Sequence, residues 1–399
     1  MNLLDARPAA LQTNEPMPAV VADALDLDTV IAEIAARRDE FDALSHVPRD
    51  MIAKMKRARI FRASTPKRFG GDALPPAEFL RVLERIAVAD GSAAWVAAFG
   101  SANVYLAALP LDTQREIYAG GPDQVFAGGL YPLQPAAAEP GGWRVSGQWH
   151  FASGCKGADW IGVGIGGTPP GGAGPNAGKP LTAVFPAAEV EIVDNWNVVG
   201  MQGTGSHDLR LHDRFVADAW TFVRGGSALV DEPLYRYPAV SYQAEVHAAV
   251  NVGLARAALD LLAGMAGGAK TTTGAPRLAD RAYFRIELGK AEAQWRSARA
   301  FFYEASESAW DTIVAGDPLP AADASLLRLS ATHAAQVSAD VVQLAYRLAG
   351  IAAIYREHRM QRLVRDAMVV TQHAFLGEAT YDGAGAIFAG IAPTITPYP

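Results

Sequence analysis

The sequence contains very little cysteine: Cys155 is the single one among 399 residues. One cysteine excludes an intramolecular disulfide and any metal site made from several thiolates. Such sparse cysteine fits a reducing compartment, and no apolar segment follows a basic start as it does in a secretory signal peptide. We therefore expect a cytoplasmic protein.

Positive charge is also scarce, with 35 lysine and arginine residues against 42 aspartate and glutamate residues and a formal net charge of -7. There is no block of basic residues, so nucleic-acid binding gains no electrostatic support. The most hydrophobic long stretch, residues 240–266, is interrupted by Glu245, His247, Arg256 and Asp260. These side chains indicate a buried helix and not a membrane span. We expect neither a nucleic acid nor a membrane as partner.

Familiar cofactor and metal motifs are absent or incomplete. The sequence has no P-loop, no H-E-x-x-H and no G-x-S-x-G. Gly162, Gly164 and Gly167 match the spacing of a dinucleotide-binding turn, but prolines and more glycines follow where a helix should begin. His207 and His212 are five residues apart on a strand-like run, which places them on opposite faces. We predict no nicotinamide site and no metal site.

Hydrophobic patterning divides the chain into four parts. Residues 1–26 have no clear period, and we expect a mobile tail. Residues 27–122 show helical spacing, 123–234 contain short strand-like runs separated by Gly, Pro and Asn, and 235–399 are helical again. Because the strands are grouped and do not alternate with helices, we predict an α+β fold. It has an N-terminal helical domain, a central antiparallel β domain and a C-terminal four-helix bundle.

The stretch from Trp143 to Val163 contains the most distinctive local pattern. Trp149, Phe151 and Ser153 alternate with other residues and are predicted to share one face of a strand that stops at Gly154. A hydroxyl in line with two aromatic rings suits contact with a flat, partly polar ring. A serine that only caps the end of a strand explains the same pattern, and the local sequence alone favours that simpler interpretation.

Three motifs resemble a known family. They are GGWRVSGQWHFASGCKGADWIGVG, WNVVGMQGTGSHDLRLHDRFV (Trp196 to Val216) and RLVRDAMVVTQH (Arg362 to His373). Together with the α–β–α order they resemble the acyl-CoA dehydrogenase fold from about Leu27 onward. The closer resemblance is to its branch of two-component flavin-dependent monooxygenases. That branch includes the oxygenase components that hydroxylate 4-hydroxyphenylacetate and 3-hydroxy-seco-steroids, and dibenzothiophene monooxygenase.

The resemblance implies a homotetramer that binds flavin between the β domain and the helical bundle. Such enzymes take reduced FMN or FAD from a separate NAD(P)H:flavin reductase. Oxygen then forms a flavin C4a-hydroperoxide, which donates one oxygen atom to a small aromatic or heteroaromatic substrate. The flavin hydroperoxide is kept from decaying to hydrogen peroxide when water is excluded and the polar atoms of the hydroperoxide are held.

The resemblance also implies roles for individual residues. Ser153 corresponds to a serine that hydrogen-bonds near flavin N5 and the peroxide, and it is expected to act in catalysis. Further flavin contacts are expected from Tyr131, Phe151, Gly154 and Lys270. The water-excluding wall is expected from Trp149, Phe151 and Trp160.

His373 matches the C-terminal histidine of the monooxygenase branch. A neutral imidazole could take a proton from a substrate hydroxyl or N–H, or orient the peroxide. The alternative is a histidine that is only hydrogen-bonded within the bundle. The expected substrate pocket comprises Trp95, Asn103 and Phe375. Asn103 and Phe375 stand where phenol-hydroxylating members have His and Tyr, which weakens the case for a simple phenol substrate.

Two other functions fit parts of the sequence. An acyl-CoA dehydrogenase with bound FAD needs a carboxylate beside the flavin to abstract a proton. Glu378 and Asp382 are the nearest candidates, about one helical turn or more too late in the chain. A flavin-free structural or binding relative is the third possibility. The monooxygenase is the predicted function.

Overall fold

The structure is a computed structural model, and it describes residues 24–166, 180–224, 226–267 and 276–393. Most of the predicted tail at residues 1–26 lies outside the described residues. The first helix begins behind Asp26, whose carboxylate accepts a hydrogen bond from the backbone N–H of Thr29 at 3.1 Å. The N-terminal helices are α1 Leu27–Leu44, α2 Arg49–Arg57, α3 Pro76–Ala89, α4 Gly91–Ala97, α5 Asn103–Leu106 and α6 Leu111–Ile117.

A seven-stranded sheet follows, in the order β5-β6-β2-β1-β3-β4-β7. Its neighbouring strands are antiparallel except β1 and β3, which run parallel in a register that pairs Phe126 with Trp160. The expectation of a purely antiparallel domain was therefore wrong at one pair. The strands are β1 Phe126–Glu139, β2 Gly142–Ala152, β3 Trp160–Gly166, β4 Leu181–Pro186, β5 Glu191–Val193, β6 His207–Ala217 and β7 Thr221–Val223.

The parallel pair has a simple topological cause. The chain reverses once between β1 and β2 and again at the short helical turn Cys155–Gly157. After two reversals β3 runs in the direction of β1, and it adds to the free edge of β1 because β6 occupies the other edge of β2. Alternation of side chains along a strand gives its faces but not its neighbours.

The end of β2 departs from the predicted alternation. Phe151 has a positive φ of 63°, and the register of β2 against β6 shifts between Trp149 and Ala152. Such an irregularity redirects the side chains that follow it. Trp149 is fully buried and donates from Nε1 to the carbonyl oxygen of Gly164 at 2.7 Å, whereas Phe151 is 64% exposed. The predicted shared face of Trp149, Phe151 and Ser153 was wrong.

The C-terminal region is a helical bundle built around α7, which packs against α3, α9 and α10. By length and composition alone, Ala239–Ala266 and Ala321–Ile354 could each cross a membrane, but 67% of the most apolar part of the first is buried inside the protein. The helices are α7 Ala239–Ala266, α8 Ala282–Val314, α9 Ala321–Ala349, α10 Arg359–Val370 and α11 Ala379–Phe388.

A buried ionic cluster joins the N-terminal helices to α10. The guanidinium of Arg362 lies 2.8 Å from a carboxylate oxygen of Asp90 and 2.9 Å from one of Asp42. One turn later, Asp366 accepts a hydrogen bond from the backbone N–H of Met201. Buried charges are tolerated when they are paired and hydrogen-bonded in this way. The cluster fixes α10, and with it the segment that carries His373, against the loop that leads into β6.

Candidate active site

A cavity of about 610 Å³ lies among the sheet, α4, α7 and the segment after α10. Its volume lies within the range that is usual for pockets that bind small molecules and cofactors. Aromatic side chains dominate the lining, and they include Trp95, Phe99, Tyr105, Trp196, Phe222 and Phe375.

A chain of hydroxyl groups ends at Ser153 on the wall of this cavity. Thr204 donates from Oγ1 to the carbonyl oxygen of Met201 at 2.8 Å. Thr204 and Ser206 have their hydroxyl oxygens 2.7 Å apart, and Ser206 and Ser153 have theirs 2.6 Å apart. Finally, Trp95 donates from Nε1 to Ser153 Oγ at 3.2 Å.

The direction of every bond in this chain follows from the first one. Because a hydroxyl has one hydrogen, Thr204 must accept from Ser206, and Ser206 must accept from Ser153. Ser153 then has no hydrogen left to donate, and one of its two lone pairs accepts from Trp95. What Ser153 presents to the cavity is therefore a hydrogen-bond acceptor. This polarity requires tertiary contacts and was not predicted from the sequence.

His373 lies on the cavity wall directly after α10 and caps a short helical turn. Its Nδ1 accepts the backbone N–H of Phe375 at 3.3 Å, which places the hydrogen of the neutral ring on Nε2. Burial, with a further contribution from the nearby Arg224 cation, lowers the pKa of His373 to about 4. At neutral pH this residue is an uncharged hydrogen-bond donor.

His247 on α7 was not singled out as a site residue from the sequence, although it lines the same cavity. Its Nδ1 hydrogen-bonds the carbonyl oxygen of Gln243, so the neutral ring has its hydrogen on Nδ1 and a free lone pair on Nε2. Burial holds the pKa of His247 well below its ordinary value, and the nearby Arg224 cation acts in the same direction. The available sequence signal was a histidine within a predominantly apolar helix.

Four of the predicted site residues line the cavity together with Ser153 and His373. Trp95 lies with its ring centroid 4.2 Å from that of His247, and Phe375 lies edge-on to His373 at 5.0 Å. Tyr131 and Phe151 are 68% and 64% exposed, so they belong to the part of the cavity that is open to solvent.

Other predicted site residues lie elsewhere. Asn103 does not line the cavity, because its buried amide donates to the carbonyl oxygen of Phe61 at 3.1 Å and to the hydroxyl of Thr65 at 2.9 Å. Gly154 is behind the wall: its φ is +70°, and a Cβ atom there would come within 3.3 Å of the ring of Phe99. Lys270 lies outside the described residues.

Two of the three residues expected to form the water-excluding wall do not line the cavity. Trp149 is buried beneath the sheet, as described above. Trp160 stacks on Trp220 at 5.2 Å and donates to Gln124, away from the cavity. Of the three, Phe151 alone lines the cavity. The aromatic wall comes instead from residues on several separate elements, a grouping that strand periodicity does not contain.

The described lining of the cavity carries positive charge but no negative charge. Within the described ranges, no Asp or Glu side chain lines the cavity, and Arg224 is its one lysine or arginine residue. Glu378 and Asp382 are exposed and lie outside it. The cavity therefore offers no carboxylate base of the kind that acyl-CoA dehydrogenation requires. A lone arginine at the end of a strand gave no signal in the sequence.

Comparison with known proteins identifies the family. Residues 27–119 match the acyl-CoA dehydrogenase N-terminal domain and residues 245–378 match the acyl-CoA dehydrogenase C-terminal domain. An indole-3-acetate monooxygenase from Pseudomonas putida is 51% identical over 90% of this chain and 91% of its own length. The chain is a monooxygenase of the acyl-CoA dehydrogenase family. A second indole-3-acetate monooxygenase, from Acinetobacter baumannii, is 42% identical over 93% of this monooxygenase and 95% of its own length.

Solved structures show the same fold in other monooxygenases. The 3-HSA hydroxylase from Rhodococcus sp. RHA1 superposes with a TM-score of 0.86 at 24% identity, over 93% of this chain and 97% of that one. XiaF from Streptomyces sp., solved in complex with FADH2 and glycerol, has a TM-score of 0.80 at 22% identity, over 92% and 98% of the two chains. The predicted fold and the predicted family are confirmed.

These findings also confirm the predicted function at the level of its class. The monooxygenase is the oxygenase component of a two-component system, uses reduced flavin and acts on an aromatic substrate. A further relative, from Rhizobium sp., is named an FADH(2)-dependent resorcinol hydroxylase, oxygenase component, and is 34% identical over 57% of this chain and 58% of its own length. Neither the dehydrogenase nor the flavin-free alternative is supported.

The groups on the cavity wall fit a reduced flavin. Ser153 Oγ has one lone pair left after it accepts from Trp95, and a reduced flavin carries ring N–H groups that need acceptors. Tyr131 and Phe151 provide exposed aromatic surface beside Ser153 for a flat ring system.

Proposed function

We propose that this monooxygenase oxygenates indole-3-acetate. The observation that carries the proposal is the 51% identity, over nine-tenths of both chains, with a protein that is named for this substrate. The second relative of the same name, at 42% identity, has equally complete coverage. The lining agrees with the proposal, because an aromatic cavity without carboxylates accommodates an indole ring and does not repel an organic anion.

We propose that Ser153 has a flavin-holding role. Reduced flavin, when bound, supplies the chemistry that activates oxygen. The lone pair of Ser153 would accept a ring N–H of the reduced cofactor, and Trp95 and Ser206 fix the orientation of the serine hydroxyl. Tyr131 and Phe151 would hold the ring by aromatic contact, and Gly154 shapes the turn that follows Ser153. The buried aromatic side chains of the lining, among them Trp95 and Phe222, would keep water from the reacting atoms.

The two histidines supply complementary polar groups on the substrate side. His373 donates a hydrogen bond from Nε2, so its proposed role is to hold a reacting oxygen atom by that hydrogen bond. His247 offers a lone pair on Nε2, so its proposed role is to accept the indole N–H. The sequence left two roles open for His373, taking a proton or orienting the peroxide, and the hydrogen bond at Nδ1 favours the second.

We further propose that the protein is a cytoplasmic homotetramer. Ile351, Phe388 and Ile391, which lie at or just beyond the ends of the C-terminal helices, are 75%, 66% and 64% exposed, and apolar side chains of this size favour burial against another copy. Light scattering at micromolar concentration should give four times the mass of the chain. A stable monomer would contradict the assembly.

The test of the substrate is a coupled assay. The protein is supplied with FMN or FAD, a flavin reductase, NADH, oxygen and indole-3-acetate, and the products are analysed by mass spectrometry with labelled oxygen gas. We expect a product that carries one labelled oxygen atom. A control without reductase and NADH should give none. Flavin oxidation that yields only hydrogen peroxide, with the indole unchanged, would overturn the proposal.

A further inference from the structure

Arg224 follows β7 directly and reaches the cavity between two aromatic rings. Its guanidinium carbon lies 5.0 Å from the ring centroid of Tyr105 and 5.6 Å from that of Phe375. Arginine stacks well on aromatic faces and still keeps its N–H groups free at the edge of the guanidinium plane. The two rings therefore hold the group in one orientation and leave its hydrogen-bonding edge available.

Throughout the part of the chain that the structure describes, the side chain of Arg224 has neither an ion pair nor a hydrogen bond, although it is half-buried. Arg62, which is also partly buried, forms an ion pair with Asp123. A half-buried cation without an anion is expensive, and a bound anion offsets that cost.

The rest of the cavity restricts what the anion can be. Because the described lining contains no carboxylate, Arg224 gives it a net positive charge. The surrounding groups are aromatic: the ring of Phe375 lies between Arg224 and His373, with its centroid 5.0 Å from that of His373. The complementary ligand is a flat aromatic ring that carries a short acidic side chain.

We propose that Arg224 binds the carboxylate of the aromatic acid substrate and thereby selects acids over neutral ring compounds. The inference rests on the proposed function, because indole-3-acetate has the required carboxylate one methylene away from its ring. A bidentate pair between guanidinium and carboxylate fixes both the position and the direction of the side chain. With the carboxylate held there, the indole ring extends along Phe375 toward the two histidines.

The test compares indole-3-acetate with indole-3-acetamide, which has the same shape but no charge. Dissociation constants are measured anaerobically with reduced flavin bound, for the wild type and for Arg224→Met, Arg224→Lys and Arg236→Met. Arg236 is exposed and lies outside the cavity, so Arg236→Met is a matched loss of one positive charge. The affinity for reduced flavin is measured for each protein as a control.

In the wild type we expect the acetate to bind more tightly than the acetamide. Arg224→Met should weaken acetate binding by about 10- to 100-fold and leave acetamide and flavin binding nearly unchanged, because a charged hydrogen-bond pair is lost. Arg224→Lys should restore part of the difference, and Arg236→Met should behave as the wild type. Equal loss for both ligands, or weakened flavin binding with an unchanged acetate-to-acetamide ratio, would overturn the inference.

A panel of aromatic acids and their amides separates this inference from the proposed substrate. An Arg224-dependent preference for a different aromatic acid would support the role of Arg224 and reject indole-3-acetate. A wild-type protein that prefers no acid over its amide would reject the role of Arg224, even if it oxygenates an indole.

Discussion

The rings of His247 and His373 stack with their centroids 4.3 Å apart and an angle of 20° between their planes. Their backbone partners give them opposite tautomers: Gln243 binds the Nδ1 hydrogen of His247, and Phe375 donates to Nδ1 of His373. One ring therefore presents an acceptor and the other a donor from the same stacked pair. The pair suits a substrate with an N–H group near the atom that is oxygenated.

Removal of the hydrogen-bond donor, His373, should uncouple flavin oxidation from product formation. We expect His373→Ala to lower product formation by about 100-fold or more, which is typical of a lost hydrogen-bond donor to a reacting oxygen, while oxygen still consumes reduced flavin. Product and hydrogen peroxide are quantified in the same reaction. His333→Ala on α9 is the control, because His333 does not line the cavity. Full coupling in His373→Ala would show that this histidine only packs within the bundle.

Removal of the hydrogen-bond acceptor, His247, should reduce the preference for substrates that carry an indole N–H. His247→Phe keeps an aromatic ring in the stack but removes the lone pair on Nε2. We expect kcat/KM for indole-3-acetate to fall about 10-fold, because the buried N–H loses its partner. The value for 1-methylindole-3-acetate, which lacks that N–H, should change little. An equal loss for both compounds would indicate a packing effect.

The low pKa of His373 predicts the pH dependence of activity and stability. Since its pKa is about 4 in the folded protein and 6.5 ordinarily, the ring stays neutral and activity should not show a step near pH 6.5. Between these values the unfolded chain binds more protons, so the contribution of this group to stability decreases as pH falls from 6.5 toward 4. His373→Ala should reduce that acid-side loss of thermal stability. A histidine NMR signal assigned to His373 that titrates near 6.5 would contradict the prediction.

The hydroxyl chain predicts a preference for the redox state of the flavin. Ser153→Ala should leave the fold intact at a cost of only about 1 kcal/mol, weaken binding of reduced flavin and divert turnover to hydrogen peroxide. Ser206→Ala frees the hydrogen of Ser153, so Ser153 can then donate to oxidised flavin, whose N5 is an acceptor. We expect the ratio of reduced to oxidised flavin affinity to fall severalfold.

The matched control for the hydroxyl chain is Ser330→Ala. Ser330 is a buried serine on α9 that donates to the carbonyl oxygen of Leu327, away from the cavity. Its loss should leave both flavin affinities unchanged. An unchanged ratio in Ser206→Ala would show that the direction of these hydrogen bonds does not control flavin binding.

The carboxylates considered for a dehydrogenase should be dispensable. Glu378→Gln and Asp382→Asn should each retain wild-type coupled activity, because both side chains are exposed and outside the cavity. No acyl-CoA should reduce bound FAD in the wild type or the variants. If an acyl-CoA reduced the flavin in the wild type and either substitution abolished that reduction, the dehydrogenase hypothesis would be restored.

The sequence by itself determined the class of the fold and much of the candidate site. Helical and strand periodicities were sufficient for the α–β–α order, because they record which face of each element is buried. The motifs around Ser153 and His373 indicated a flavin-dependent monooxygenase, and both residues line one cavity. These features are local: each can be read from neighbouring positions in the chain.

Only the tertiary structure decided which neighbours each element has and where its polar groups are directed. The parallel pair of β1 with β3 and the redirected end of β2 depend on strand pairing, which periodicity does not specify. Arg224 and His247 join the site through contacts between elements far apart in the chain. The acceptor role of Ser153 likewise follows from the hydrogen bond that Thr204 donates to Met201. The direction of such bonds is set by the three-dimensional arrangement of donors and acceptors.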